Sequence, residues 1–225
     1  MNIIKTRFLT CLIVLLALTL SGCSHKLRVT NLRDNYTSNP SPLKSGITIG
    51  VSSSTDSYES EEYIESIVES LRKSDNFNRV IYPYNRSYGK VDYVVDISAK
   101  PYYSGKGTNF LVNWPGFLIF APAIWGYGYN AEILTDVNVI KIGSKRSYEP
   151  MDIRANYNFR HAAMNRTWTE VGWFEVGLIP LISGIFFTQY DDKVTREFIR
   201  EVSDDYGTFI SRKIVGKIGN ISARR

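Results

Sequence analysis

The side chains from which a reaction centre could be assembled are few and badly spaced. The chain of 225 residues has two histidines and two cysteines, too few to build a metal or redox centre. Gly126-Tyr127-Gly128-Tyr129-Asn130-Ala131 matches a G-x-G-x-x-A string. A dinucleotide loop needs a strand before it and a helix after it, and here a strand pattern follows. Ser183-Gly184 lacks the G-x-S-x-G elbow that exposes a nucleophile, with His161 the sole histidine of the body that could act as its base. His161 itself is expected to be a surface or internally satisfied histidine, not a ligand. Asp92 and Asp96 share one face of a strand at about 13 Å, too far apart for the carboxylate pair of a retaining glycosidase. Asp191-Asp192 stand where a helix cap belongs, and Asp204-Asp205 on a helix's polar face; neither pair offers the converging oxygens of a Ca²⁺ site. The expectation is therefore no catalytic residue, no metal, no cofactor and no enzyme activity.

Behind these residues lies an ordinary globular composition, 44% hydrophobic and 13% aromatic, which excludes disordered, collagen-like and coiled-coil classes. Gly46-Ile47-Thr48-Ile49-Gly50-Val51 reads as a first strand. Tyr63, Ile64, Ile67, Val68 and Leu71 recur at helical spacing, with Asp56 and Glu59 as a plausible cap. Val80-Ile81-Tyr82 stops at Pro83 and suits an edge strand. Apolar residues then alternate with polar ones in three places: Val91 to Ile97, Ala131 to Ile142, and Asp152 to Arg160. Such strands have one covered and one solvated face, which favours antiparallel pairing. Val194, Phe198, Val202, Tyr206, Phe209 and Ile210 predict a closing helix from about Asp192 to Ile218, open to a kink or break at Gly207. The predicted fold is α+β: a mostly antiparallel sheet of about five strands covered by two helices, interrupted by two apolar insertions rich in Trp, Pro and Gly.

The N-terminus reads as a targeting segment. Lys5 and Arg7 precede an uncharged apolar run from Phe8 to Leu20 that ends in small residues, the layout of a secretory signal and too short for a spanning helix. Leu20-Ser21-Gly22-Cys23 resembles the lipobox of bacterial lipoproteins. That resemblance implies cleavage before Cys23 and lipid on its thiol, the membrane being a partner through that lipid. With Ser24, not Asp, after the cysteine, it also implies the periplasmic face of the outer membrane. The expected organisation is a signal over residues 1–22, a lipidated flexible tether over 23–45, and one domain over 46–225 with insertions at 100–130 and 161–190. Without Lys5 and Arg7 the 27 basic residues become 25 against 22 acidic, a balance of +3. This weak basicity suits ordinary solubility, or a place close to anionic head groups or polymers, and makes nucleic acid an unsuitable partner.

The stretch 46–98 resembles the small α/β domain of the curli secretion lipoprotein and of outer-membrane activators of penicillin-binding proteins, which implies fold and compartment and no residue roles. All four tryptophans fall in residues 109–129 and 168–190. Three readings of these insertions stay open. They could complete the core over the sheet, dock an envelope protein or copies of the same chain, or sit in the membrane interface through amphipathic rings. Trp114, Phe117, Trp125, Trp168 and Trp173 are the candidate contact residues, and Cys23 the candidate lipid attachment site. The functional expectation is a lipid-anchored, non-catalytic binding or adaptor module of the cell envelope. The alternative is a subunit of an oligomeric outer-membrane export or pore-forming complex.

Overall fold

The computed structural model describes residues 26–30, 42–43, 46–54, 57–85, 87, 89–109, 126–144, 148–162 and 194–223. Along the chain run β1 (Lys26–Thr30), β2 (Thr48–Ser53), α1 (Tyr58–Lys73), β3 (Arg79–Ile81), β4 (Tyr93–Gly105), β5 (Tyr127–Lys141), β6 (Met151–Ala162) and α2 (Thr195–Ala223). The fold is α+β, as expected, but the sheet has six strands in the order β1-β6-β5-β4-β2-β3 and is mixed, not mostly antiparallel.

Parallel pairing comes from the first half of the domain. β2 pairs in parallel with β3, Ile49 opposite Val80, and on its other side with β4, Val51 opposite Val95. Parallel neighbours need a crossover connection, and α1 supplies it between β2 and β3. Strands β4, β5 and β6 form an antiparallel meander. Lys106 donates its backbone N–H to the Gly128 carbonyl at 2.9 Å and Ile142 donates to the Asp92 carbonyl at 2.9 Å, so numbering falls along β5 as it rises along β4. Tyr129 against Phe159 and Glu132 against Arg154 show the same reversal between β5 and β6. β4 runs on to Gly105 and β5 starts at Tyr127, so strand occupies both ends of the insertion expected at 100–130. β1 lies within the stretch expected to be a tether, and Leu43 donates its N–H to Asn76 Oδ1 at 3.1 Å.

Local chemistry sets the helix ends. Ser57, not the expected Asp56, caps α1, its hydroxyl accepting from Ser60 N–H at 3.2 Å; Asp56 lies outside the described residues. Glu59 and Glu61 in the first turn and Arg72 and Lys73 in the last suit the helix dipole. α2 runs unbroken for 29 residues through Gly207. A β-carbon at Gly207 would lie 2.5 Å from the Ser66 carbonyl oxygen, so this glycine permits a close helix crossing instead of a kink. Ser66 Oγ donates to the Ser203 carbonyl at 2.6 Å, and the Ser70 and Ser211 hydroxyls meet at 2.9 Å. No helix among the described residues is long and apolar enough to cross a membrane.

The core lies between the helices and one face of the sheet. Tyr93, Val95 and Ile97 of β4, Ile133, Val137 and Val139 of β5, and Ala155, Tyr157 and Phe159 of β6 are buried at alternate positions. On the helix side, Tyr157 meets Phe198 edge-on at 5.7 Å, Thr135 bonds the Tyr206 hydroxyl, and Tyr63 of α1 packs against Tyr206 at 5.3 Å. Each such large side chain contributes about 1.5–3 kcal/mol by leaving water.

The chain divides into two compact units. The first comprises Met1–Val29, Tyr103–Asn130 and Asn158–Asp191; the second comprises Thr30–Tyr102, Ala131–Tyr157 and Asp192–Arg225. Both helices and the whole of β2 and β3 belong to the second.

Candidate functional site

The sheet face opposite the helices carries a cleft of about 1110 Å³ in the second unit. Its floor is the register of three strands. β2 places Gly50 and Ser52 beside Val94 and Asp96 of β4, Thr48 is bonded to Asp92 just before β4, and Ile140 of β5 with Ile142 just past its end continues the same face. Across the middle row lies an apolar strip. A β-carbon at Gly50 would sit 2.4 Å from the Tyr84 ring, so the ring rests directly on the glycine. Tyr84 is held there because its N–H donates to the Val51 carbonyl at 2.8 Å. Val94 and Ile140 extend the strip. Ile140 is 43% and Ile142 52% exposed, more than isolated surface isoleucines need, since they adjoin each other on one face.

The two carboxylates flanking the strip are tied down. Asp92 accepts from the Thr48 N–H at 2.7 Å and returns its own N–H to the Thr48 carbonyl at 2.8 Å. Asp96 accepts from the Ser52 hydroxyl. Both acids therefore clip β4 to β2, and they stay four residues apart as the sequence required. Lys90 and Asn85 rim the cleft. The arrangement suits an apolar or amphipathic ligand surface with a few polar contacts at its margin.

A second depression of about 470 Å³ lies along the crossing of α1 and α2, lined by Ser70, Lys73, Asn76, Asp204, Ser211 and Arg212 among others. Of its charges, Glu69, Lys73 and Asp204 are exposed and Arg212 is half-buried. Glu69, on its wall, has its carboxyl held below the usual range by the hydrogen bond and charge of Lys73, 2.8 Å away, and Lys73 is raised by the same partner. On the same helix, a hydrogen bond from Tyr58 to Glu62 raises the tyrosine. These are surface pairings.

In the first unit the structure shows where the first insertion is rooted. Asn109 is buried, its amide donating to the Gly128 carbonyl at 2.9 Å and its oxygen accepting from Gly128 N–H at 2.7 Å. It thus acts as a strand partner at the end of the β4–β5 ladder. Tyr129 and Phe159 stack beside it at 5.3 Å. Because β4 ends, β5 begins and β6 ends on the same side of the meander, both insertions depart from one end of it.

Cys23, Trp114, Phe117, Trp125, Trp168 and Trp173 all lie outside the described residues, as do Ser183-Gly184 and Asp191-Asp192. From Tyr127 onward the string Gly126 to Ala131 is itself the start of β5, so it is strand and not a loop between a strand and a helix. His161 is buried in β6, and Asp204 and Asp205 are exposed on α2. Among the described residues no three His, Cys, Asp or Glu side chains converge as a metal site. The cleft residues Tyr84, Ile140 and Ile142 were not singled out from sequence. Two signals pointed to them: a glycine inside a strand, which marks a close approach, and isoleucines at positions alternating with Val137 and Val139 on a face otherwise polar.

The chain matches no protein-family model and no curated protein. Among solved structures it is similar to the PelC dodecamer from Paraburkholderia phytofirmans and to a single-substitution variant of it. Both alignments show 10% identity and cover 82% of this chain and 98% of that one, with TM-scores of 0.29 and 0.28. A likeness at that score carries no functional argument.

Proposed function

We propose that the protein is a lipid-anchored component of the bacterial cell envelope that acts by binding and not by catalysis. The observation that carries the binding reading is the cleft on the helix-free sheet face, where exposed Ile140 and Ile142 continue an apolar strip from Tyr84 and Val94. Its acids are already engaged with β2, so contact with a partner surface is the chemistry left to it. Photo-crosslinkers placed at Ile140 and Ile142 in cells should give discrete adducts, and one at exposed Glu61 on α1 should not. Equal labelling at all three positions would remove the cleft from consideration.

The anchor in this proposal is lipid on Cys23, at the periplasmic face of the outer membrane. Cys23→Ala should leave uncleaved precursor in the membrane; normal processing of that variant would end the lipoprotein reading. Trp114, Phe117, Trp125, Trp168 and Trp173 are proposed as further contacts. Trp114→Ala and Trp173→Ala should weaken binding while leaving the domain folded, and unfolding would make them core residues instead. The second reading, a subunit of an oligomeric export or pore-forming complex, is favoured by the same two isoleucines, since an exposed apolar strip equally suits a copy of the chain. Native mass in mild detergent separates the two: a ring-sized particle supports the second reading and a monomer the adaptor.

A further inference from the structure

We propose that the sheet end contributed by the first unit is a docking surface for an anionic lipid bilayer. This deepens the envelope-anchor reading and rests on lipid attachment at Cys23. The charge of this unit's described residues is one-sided. Its described residues carry Lys26, Arg28, Lys106 and Arg160 and no acid, whereas those of the second unit carry 16 acidic against 12 basic residues. The segments 1–29 and 103–130 contain no acid at all; Glu170, Glu175 and Asp191, the unit's acids, come only after β6 in the chain. Arg28 and Arg160 are exposed, on the neighbouring strands β1 and β6. Lys106 is half-buried, its stem lying along Gly128 at the end of β4.

The partner is identified by where the anchor enters. Three peptide units separate Cys23 from Lys26, the first residue of β1, and an extended chain spans at most about 3.6 Å per residue, so β1 begins within about 11 Å of the lipidated residue. A basic surface held that close to a bilayer meets anionic head groups before any other polyanion, and juxtamembrane Lys and Arg bind such surfaces within a Debye length. The acyl chains supply attachment; the basic residues supply orientation.

The test uses the processed full-length protein, reconstituted into vesicles of phosphatidylcholine alone or with phosphatidylglycerol added. A fluorophore on Thr108→Cys, an exposed position of this unit, is quenched by a head-group-labelled lipid. Quenching should be stronger with phosphatidylglycerol, fall to the phosphatidylcholine level at high salt, and lose its lipid dependence in the folded triple variant Arg28→Gln, Lys106→Gln, Arg160→Gln. Unlipidated protein should lose about fivefold in partitioning onto the anionic vesicles for each charge removed. Equal quenching in both lipids, or a triple variant that behaves as the parent, overturns the proposal. The mass of the N-terminal peptide reports acylation separately. An N-terminal peptide without acyl mass would defeat the anchor alone, and an acylated chain indifferent to head group would defeat the docking alone.

Discussion

Gly207→Ala tests whether the close crossing of α1 and α2 is tight enough to reverse the ordinary preference of a helix for alanine. In an open helix interior the substitution stabilises by up to about 1 kcal/mol. Here the new methyl would lie 2.5 Å from both the carbonyl oxygen and the hydroxyl of Ser66, and 2.7 Å from its carbonyl carbon. Two of these atoms are backbone, so rotation of a side chain cannot relieve the clash, and α1 must withdraw by at least 0.5 Å to restore a 3.0 Å approach. Overpacking of this kind costs about 1–3 kcal/mol. Withdrawal also stretches the 2.6 Å bond from Ser66 Oγ to the Ser203 carbonyl, worth about 0.5–1.5 kcal/mol. Against the alanine gain, the net loss is about 2 kcal/mol, a fall in Tm of about 4–8 °C for a domain of this size. Urea unfolding should show a lower midpoint at unchanged slope. Gly219→Ala is the control, since the nearest atom there is the flexible tip of Leu43 at 3.3 Å, and it should be neutral or mildly stabilising. If Gly207→Ala matches the control, the crossing is not close-packed and the argument for its serine and glycine contacts fails.

Gly50→Ala should displace Tyr84 from the strip, destabilising by about 1–3 kcal/mol, and in a double-mutant cycle Tyr84→Ala should recover part of that loss; strict additivity of the two changes would show that the ring does not rest on the glycine. Ser57→Ala removes the α1 cap and should cost about 1 kcal/mol, while Ser57→Asp should retain stability, as read by thermal unfolding. The Glu69–Lys73 pair adds a small pH-dependent contribution that salt weakens. Glu69 has a lowered folded pKa, so its contribution is present above the unfolded carboxylate range and disappears as pH falls through the folded value; that of Lys73, raised, is present below its unfolded value and disappears at alkaline pH. Accordingly Glu69→Gln and the parent should differ in urea midpoint near neutrality and converge in acid. A gap that widens on acidification would reverse this assignment.

Most of the fold was legible because its elements bury one face at a fixed period. The alternation through Val95 and Ile97, Val137 and Val139, and Tyr157 and Phe159 marks β4 to β6, and the helical spacing of Ile64, Ile67 and Leu71 marks α1. Strand direction was not legible. β2 and β3 are too short to encode it, and the parallel pairing follows from the crossover through α1, a property of the connection and not of either strand. β1 escaped notice because Lys26-Leu27-Arg28-Val29-Thr30 has only two apolar residues in alternation, one short period beside a polar stretch. The cap fell to Ser57 because a hydroxyl directly before the first helical residue reaches the Ser60 amide. Of the cleft, only Asp92 and Asp96 drew attention, as possible reaction partners. Their bonds to Thr48 and Ser52 come from a strand more than forty residues away, a neighbour that periodicity cannot supply.

The position of β1 has a consequence for the order of assembly. This first strand of the domain pairs with β6, so Thr30 must wait for Met151, 121 residues later in the chain. Closing a loop of that length costs about 2 kcal/mol more in chain entropy than closing the nine-residue connection between Lys141 and Met151. The β5–β6 hairpin therefore forms early and β1 joins it late. Until then the outer edge of β6 is an unpaired ladder, open to the strand of another chain. β1 is thus the closing element of the sheet, and a chain shortened past residue 30 would leave that edge bare, with exchange or aggregation as the expected defect and loss of the helical core not required.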